Sequence, residues 1–338
     1  STSQQTNMII KDPTYIYKGI SRDTSAMRPK HIVGNVDQSK IILITNYDVV
    51  HEDFYGRFDE LLKLCLHDNK EIYYDSTTEL LSQEFLQKIK HYEDLSPINI
   101  FTNGVVDESI VDLRVVKSRG LNITVEPYFV KYYDYYVPIK NYNVQKKEHR
   151  QFLLLGGKAK TFRTALTSLL YFEGLDKYGY ISYFGFEPLD TFTNETKDLY
   201  FMTDSPNQQK RRVEEGLKKM GGNKVLDVSL FNHKISHSRD YDATYYDMVD
   251  FVVIMESDVT NDRSFITEKT TKCVQQNKKF ILLSSKGMLD KTKKEYLNYH
   301  NKDISHLTDW CDTSYDNIDD VWFRIDKIVK IIKNEIIH

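Results

Sequence analysis

Glycine is scarce in this chain: 14 of 338 residues, roughly 4% where about 7% is usual. That shortage alone disfavours a fold that cradles phosphate in several glycine-rich loops. Cysteine is scarcer still. Cys65, Cys273 and Cys311 lie far apart and form no CxxC or Cys/His pattern. A disulfide scaffold is thereby excluded, and a reducing compartment fits. No run approaches the ~18 apolar residues of a membrane span. Net charge is also missing, since 46 Lys and Arg stand against 49 Asp and Glu, a formal −3. Bulk electrostatics therefore demand neither nucleic acid nor membrane. Ser1 to Asn7 is polar and reads as no signal peptide, with Ser in first place reading as a processed or tagged end. The expectation is a soluble, cytoplasmic protein.

What is present is an ordinary globular composition, 40% hydrophobic and 28% charged. Tyr is abundant at 24 copies, and with the many Ile, Asn and Lys this reads as the drift of an AT-rich genome. The length is one at which a single core usually splits in two.

Short β-rich runs alternate with helical stretches, which argues for α/β with parallel sheets. Residues 1–37 lack periodicity and read as an arm or irregular cap. Strands are predicted at Ile41–Thr45, Glu71–Tyr74, Asn99–Thr102 and Leu121–Val125, with helices at Asp53–Leu66, Glu79–Ile89 and Glu108–Lys117. Val137 to Gln145 reads as a linker. The alternation restarts with a strand at Phe152–Leu155 ending in Gly156-Gly157, then a helix at Thr161–Phe172 and a strand at Tyr180–Phe184. A charged helix at Pro206–Met220 stops at Gly221-Gly222. Strands follow at Phe251–Met255 and Phe280–Ser284, with helices at Thr267–Gln275 and Leu289–Tyr299. A long amphipathic helix, Ile318–Ile337, closes the chain with Val321, Trp322, Ile325, Ile328, Val329 and Ile332 at helical spacing. The expected division is residues 1–145, residues 146–317, and a terminal helix, 318–338, crossing back to the first domain.

The stretch from Phe251 to Leu283 is the most informative. A buried strand runs into Glu256, a polar loop passes Asp262-Arg263, and a helix begins near Thr267-Glu268-Lys269. A helix N-terminus favours anions, so Lys269 in the first turn opposes the dipole unless an anionic partner is bound there. Glu268 has the chemistry to accept two ribose hydroxyls. Spacing alone fits a capped helix start equally well, with Ser264 or Thr267 as cap and Glu268 as a first-turn acid.

Phe265-Ile266-Thr267-Glu268-Lys269, ahead of the strand Phe280–Leu283, resembles the donor-binding motif of α-1,3-fucosyltransferase-like enzymes. Glu256 resembles the acid of that family's preceding strand-end motif. Trp310 to Ile318, and the strand, basic turn and apolar helix of Phe152 to Leu170, resemble features of viral and phage glycosyltransferases of this group. The resemblance covers roughly residues 150–338. It implies a GT-B glycosyltransferase fold, two Rossmann-like domains facing a central cleft, with a UDP- or GDP-sugar as donor. It further implies Lys269 and Arg163 on the diphosphate, Glu268 on the ribose, Glu256 facing the sugar or orienting Lys269, and Thr267 and Gly156 lining the donor site. No cofactor and no essential divalent metal are expected, because fixed cations neutralise the leaving diphosphate. Thr271-Lys272-Cys273 and Lys278-Lys279 depart from the family pattern.

An acceptor hydroxyl needs a base, and the family architecture implies one from the N-terminal domain. The loop after the first strand offers Asp48, His51, Glu52 and Asp53; Asp75 and Glu126 end later strands. Asp48 and His51 are the candidates of choice, although Asp53 capping the next helix explains the loop as well. Asp240-Tyr241-Asp242 matches the Asp-x-Asp string of metal-dependent transferases, but no buried strand precedes it, and a solvated loop is expected. Gly156-Gly157-Lys158 completes no phosphate-loop string.

Basic residues cluster at Lys146, Lys147, His149, Arg150, Lys158, Lys160 and Arg163, and again at Lys210, Arg211, Arg212, Lys218 and Lys219. Solvated surface explains both. So does a path for a polyanionic acceptor, such as double-stranded phage DNA with hydroxymethylated bases flipped into the site; a glycan acceptor fits equally. In that case the location is a host cytoplasm. The alternative is a non-catalytic two-domain protein that binds nucleotide or nucleic acid.

Overall fold

The computed structural model describes residues 8–10, 41–45, 71–76, 83–89, 98–102, 121–125, 127–131, 139–140, 148–158, 160–184, 207–224, 241–242, 244–259 and 265–337. The chain divides into two compact units. One is Ser1–Tyr132 with Asp262–Phe265, and the other is Tyr133–Asn261 with Ile266–His338.

The first unit carries strands β1 (Met8–Ile10), β2 (Ile41–Thr45) and β3 (Glu71–Ser76), then helix α1 (Gln83–Ile89). Strands β4 (Ile98–Thr102) and β5 (Leu121–Val125) and the single turn α2 (Tyr128–Lys131) follow. The five strands form one parallel sheet in the order β1-β2-β3-β4-β5. Near-continuous apolar strands suit a parallel sheet covered on both faces, and Tyr74, Ile98, Ile100 and Leu121 are buried with Phe85, Leu86 and Ile89 of α1. The Tyr74 and Phe85 rings meet with centroids 4.6 Å apart. Met8–Ile10 corrects the expectation of an irregular arm. Three apolar residues are too few to show periodicity, yet they pair in register with Ile41–Leu43. The helices expected at 53–66 and 108–117 lie outside the described residues.

The second unit begins with β6 (Ile139–Lys140), β7 (Arg150–Lys158), α3 (Thr161–Phe172), β8 (Gly179–Phe184) and α4 (Asn207–Met220). It continues with β9 (Tyr241–Asp242), α5 (Thr244–Asp247), β10 (Val249–Met255), α6 (Glu268–Gln275) and β11 (Lys279–Leu283). Helices α7 (Met288–His300), α8 (Ser305–Thr308) and α9 (Val321–Ile337) complete it. Its main sheet is fully parallel, in the order β11-β10-β7-β8.

Phe152–Leu154, Phe251–Met255 and Phe280–Leu283 are buried in that sheet, and Ala165, Leu166, Leu169 and Leu170 of α3 are buried beside it. Helix α4 packs closely on α3 at Gly216, where a Cβ would stand 1.9 Å from Ser168 O. Gly221, at φ +72°, ends α4 with its N–H on Leu217 O at 3.0 Å, as the glycine pair predicts.

Three expectations change here. Strand β7 does not stop at Gly156-Gly157 but runs to Lys158, with a register irregularity between Leu155 and Lys158 that a bulge accommodates. Tyr241–Asp242 is a strand rather than a solvated loop, because Ile139–Lys140, inside the expected linker, pairs with it. Asp240 lies outside the described residues. Helix α9 starts at Val321 rather than Ile318, since Asp320 Oδ1 caps it by accepting from Trp322 N at 2.8 Å and Phe323 N at 3.0 Å.

The buried face of α9 is Arg324, Ile325, Ile328, Val329, Ile331, Ile332 and Ile336, with Trp322 half-buried. Its bonds reach Gln209, Arg212, Glu173 and Ser284, all in the second unit.

Candidate functional site

In open parallel sheets, ligands bind beyond the carboxyl ends of the strands, where the strand order reverses. The first unit's described strands run in sequence order and never reverse. In the second unit β7 is the earliest strand of the main sheet, with β8 on one side and β10 on the other. The reversal falls between β7 and β10, which pair in register from Arg150–Val249 to Leu154–Val253. Beyond those two ends lie Lys160 and the start of α3, and Glu256, Ser257 and the start of α6.

Helix α6 starts where Thr267, extended at φ −114°, acts as its N-cap, its Oγ1 accepting from Lys269 N at 3.3 Å. The capped-start reading therefore holds for Thr267, with Glu268 in the first turn. Glu256, 1% exposed, holds that start against the strand end. It accepts from Thr267 N at 3.1 Å, Thr267 Oγ1 at 2.8 Å, Thr270 Oγ1 at 2.6 Å and Ser257 N at 3.1 Å.

Across the reversal, Arg163 in the first turn of α3 donates from Nη2 to Glu256 O at 2.9 Å. Lys160, the N-cap residue of α3, donates to Ser257 O at 2.5 Å. Lys269 Nζ lies 3.4 Å from Ser257 Oγ, 3.3 Å from Thr267 Oγ1 and 3.1 Å from Glu268 Oε1. Two ammonium groups from two different helices thus meet at one serine.

Burial by itself pushes the Glu268 carboxyl up. The ammonium groups of Lys269 and Lys272 and the bond from Lys269 outweigh it, and the group is held below the ordinary glutamate value. An ionised, acceptor-only carboxylate beside two lysines suits a ligand that carries both hydroxyls and negative charge.

The predicted site residues divide into two sets. Glu256, Thr267 and Arg163 are buried and bonded to the framework. Gly156 is inside β7, where a Cβ would stand 3.0 Å from Ser182 O and 3.2 Å from Met255 Cε, so its place is a packing position. Lys269 keeps 29% of its side chain exposed and Lys160 is half-buried, whereas Glu268, its side chain 12% exposed, is buried beside Lys269. Lys160 was legible only as one of a basic cluster. Its specific signal is a lysine at the N-cap of a helix with no acid in its first turn, a choice the helix dipole opposes. Ser257 carried no signal. Asp48, His51, Glu52, Asp53 and Glu126 lie outside the described residues, and Asp75 lies in β3.

The Trp310–Ile318 stretch is framework too. Trp310 Nε1 donates to Phe280 O at 3.3 Å, and Tyr315 Oη accepts from Leu282 N at 3.0 Å. Asp316 accepts from Leu289 N at 3.0 Å and Asp290 N at 3.3 Å, capping α7. Of the basic clusters, Arg150 donates to Gly179 O at 2.7 Å, Arg212 to Asp326 at 2.7 Å and Lys219 to Phe172 O at 3.0 Å. Arg211 and Lys218 remain exposed. Lys146 and Lys147 lie outside the described residues. Among the described residues, no helix is long and apolar enough to cross a membrane.

No family model and no curated protein matches the chain. Among solved structures, the chain is similar to a DNA-modifying β-glucosyltransferase solved with and without uridine diphosphoglucose, at TM-score 0.32 and 11% identity over 88% of this chain and 72% of that one. It is similar to T4 phage β-glucosyltransferase at TM-score 0.31 and 12% identity, over 90% and 78%. A variant of that T4 enzyme in complex with UDP-glucose matches at TM-score 0.33 and 10% identity, over 90% and 79%. TM-scores this low do not establish a common fold.

Proposed function

We propose that the chain is a glycosyltransferase that binds the diphosphate of a UDP- or GDP-sugar at the β7/β10 reversal and transfers the sugar to an acceptor hydroxyl. One observation supports this above the others: Lys160 and Lys269, from separate helices, converge on Ser257 with the ionised Glu268 alongside. In the transfer, the acceptor oxygen bonds to the anomeric carbon and the bond from that carbon to the phosphate oxygen breaks. The electron pair leaves on the diphosphate, and the hydroxyl proton passes to a base. Lys269, assisted by Lys160, neutralises the charge that builds on the departing diphosphate, and the charge is in place before the bond breaks. Glu268 accepts the ribose hydroxyls. The base is proposed to be Asp48 or His51. With two ammonium groups supplying the positive charge, turnover is proposed to need no divalent metal.

The acceptor is proposed to be a hydroxymethylated base in double-stranded DNA or a glycan hydroxyl. The exposed Arg211 and Lys218 are available to a polyanion, whereas Arg150 and Arg212 are engaged within the chain.

The test is a thermal-shift screen against UDP, GDP and their sugar nucleotides, beginning with UDP-glucose, followed by turnover on hydroxymethylated DNA with a chelator present. Stabilisation by at least one nucleotide diphosphate and sugar transfer from its donor are expected. Stabilisation without transfer to any acceptor or to water supports the non-catalytic alternative. No stabilisation by any of them overturns the reading.

A further inference from the structure

We infer that Glu256 is a positioning residue: it sets where Lys269 stands and touches no substrate itself. This rests on the nucleotide-sugar reading above. Each oxygen of the buried carboxylate receives one main-chain N–H and one hydroxyl. Oε1 accepts from Thr267 N and Thr270 Oγ1, while Oε2 accepts from Ser257 N and Thr267 Oγ1. A hydroxyl can rotate and accept; a main-chain N–H can only donate. Both oxygens must therefore be acceptors, and only a carboxylate offers two. The isosteric amide sets an –NH2 against Thr267 N or Ser257 N, whichever way it is flipped.

The main chain of the same dipeptide does the complementary work. Glu256 O accepts from Arg163 and Ser257 O from Lys160. One step at the end of β10 thus holds the starts of two helices, α3 by its carbonyls and α6 by its carboxylate. Lys269 takes its place from this arrangement. Its Nζ reaches Ser257 Oγ and Thr267 Oγ1, groups on the two residues whose N–H bonds end on Glu256. Thr267 commits its hydroxyl proton to Glu256, so its lone pairs turn toward Lys269. The buried negative charge also sits where the α6 dipole favours an anion. Phosphate is thereby left to the Lys269 ammonium group.

The test measures the Kd of UDP and GDP by titration calorimetry, with the unfolding midpoint, for the full chain. Variants are Glu256→Gln, Thr270→Val, Lys269→Ala and the doubles combining each of the first two with Lys269→Ala. Glu256→Gln is expected to weaken binding roughly tenfold, the size of a lost bond to a charged group, and Thr270→Val by less. In the Lys269→Ala background neither is expected to weaken it further, because the two act through that lysine. Losses that add in both backgrounds overturn the inference, as does a folded Glu256→Gln or Thr270→Val protein that binds like the wild type. Should Glu256→Gln not fold, the Thr270→Val cycle decides, since it removes one hydroxyl only. A wild-type chain that binds neither nucleotide overturns the nucleotide-sugar reading, and this inference with it; the other adverse results overturn the inference alone.

Discussion

The guanidinium of Arg163 donates from Nη2 to the main-chain oxygen of Glu256 at 2.9 Å, joining the first turn of α3 to the end of β10. A buried charged group in that position is expected to act on stability, whereas Lys160, three residues earlier and half-buried, is proposed to act on the ligand. Arg163→Ala is expected to cost about 2 kcal/mol in urea unfolding, since it leaves a buried carbonyl without a charged donor. Lys160→Ala is expected to weaken nucleoside diphosphate binding with the unfolding midpoint nearly unchanged. The reverse pattern would restore Arg163 as the phosphate cation.

Gly216 tests the packing beneath the site. Its missing Cβ lets α4 approach the α3 backbone, with Ser168 O only 1.9 Å from where that atom would be. Helices cannot yield by that much locally, so Gly216→Ala is expected to lower stability by at least ~2 kcal/mol. A lower urea midpoint at unchanged slope is the predicted readout. An unchanged midpoint would show that the two helices separate freely.

The terminal helix makes a third case. Arg324, 1% exposed, donates to Ile318 O from Nε at 3.1 Å and Nη2 at 2.6 Å, and from Nη1 to Ser284 O at the end of β11. Ending the chain at Ile318 removes this clamp together with Ile325, Ile328, Val329 and Ile332 from the core. The shortened protein is expected not to fold cooperatively by circular dichroism and thermal melting. A soluble, fully active truncation would refute the role given to α9.

Acid stability reports on Glu268. Its folded carboxyl sits below the ordinary value of 4.5, chiefly because Lys269 and Lys272 overcome the opposing effect of burial. The unfolded chain therefore takes up the proton first as the pH drops. Stability from this group is full above pH 4.5 and is lost as pH falls below it toward the folded value. Glu268→Gln is expected to flatten the fall of Tm with pH in that window. Parallel curves for the two proteins would count against the lysine–glutamate coupling.

Much of the second unit was legible because its elements are long and strongly patterned. The apolar runs Leu153–Leu155 and Phe251–Met255 have few alternatives to buried parallel strands, and Thr161–Phe172 matches the observed helix end to end. Met8–Ile10 and Tyr241–Asp242 escaped notice because strands of three and two residues take their structure from partners distant in sequence. The candidate site was legible in part. Lys269 stood out because a cation at a helix start contradicts the dipole. What escaped notice was the allocation of roles. Glu256, Thr267 and Arg163 had the chemistry of ligand contacts, but distant bonds, such as Thr270 Oγ1 to Glu256, engage them in the framework. Spacing cannot report which oxygen a buried arginine meets 93 residues away.

The most direct measurement is calorimetric titration of UDP and GDP into the wild-type chain and into Lys269→Ala, with unfolding midpoints recorded alongside. Binding of at least one of them to the wild type is predicted, weakened at least about tenfold in the variant at an unchanged midpoint. Equal binding by both proteins, or no binding by the wild type, would contradict a diphosphate site built on Lys269.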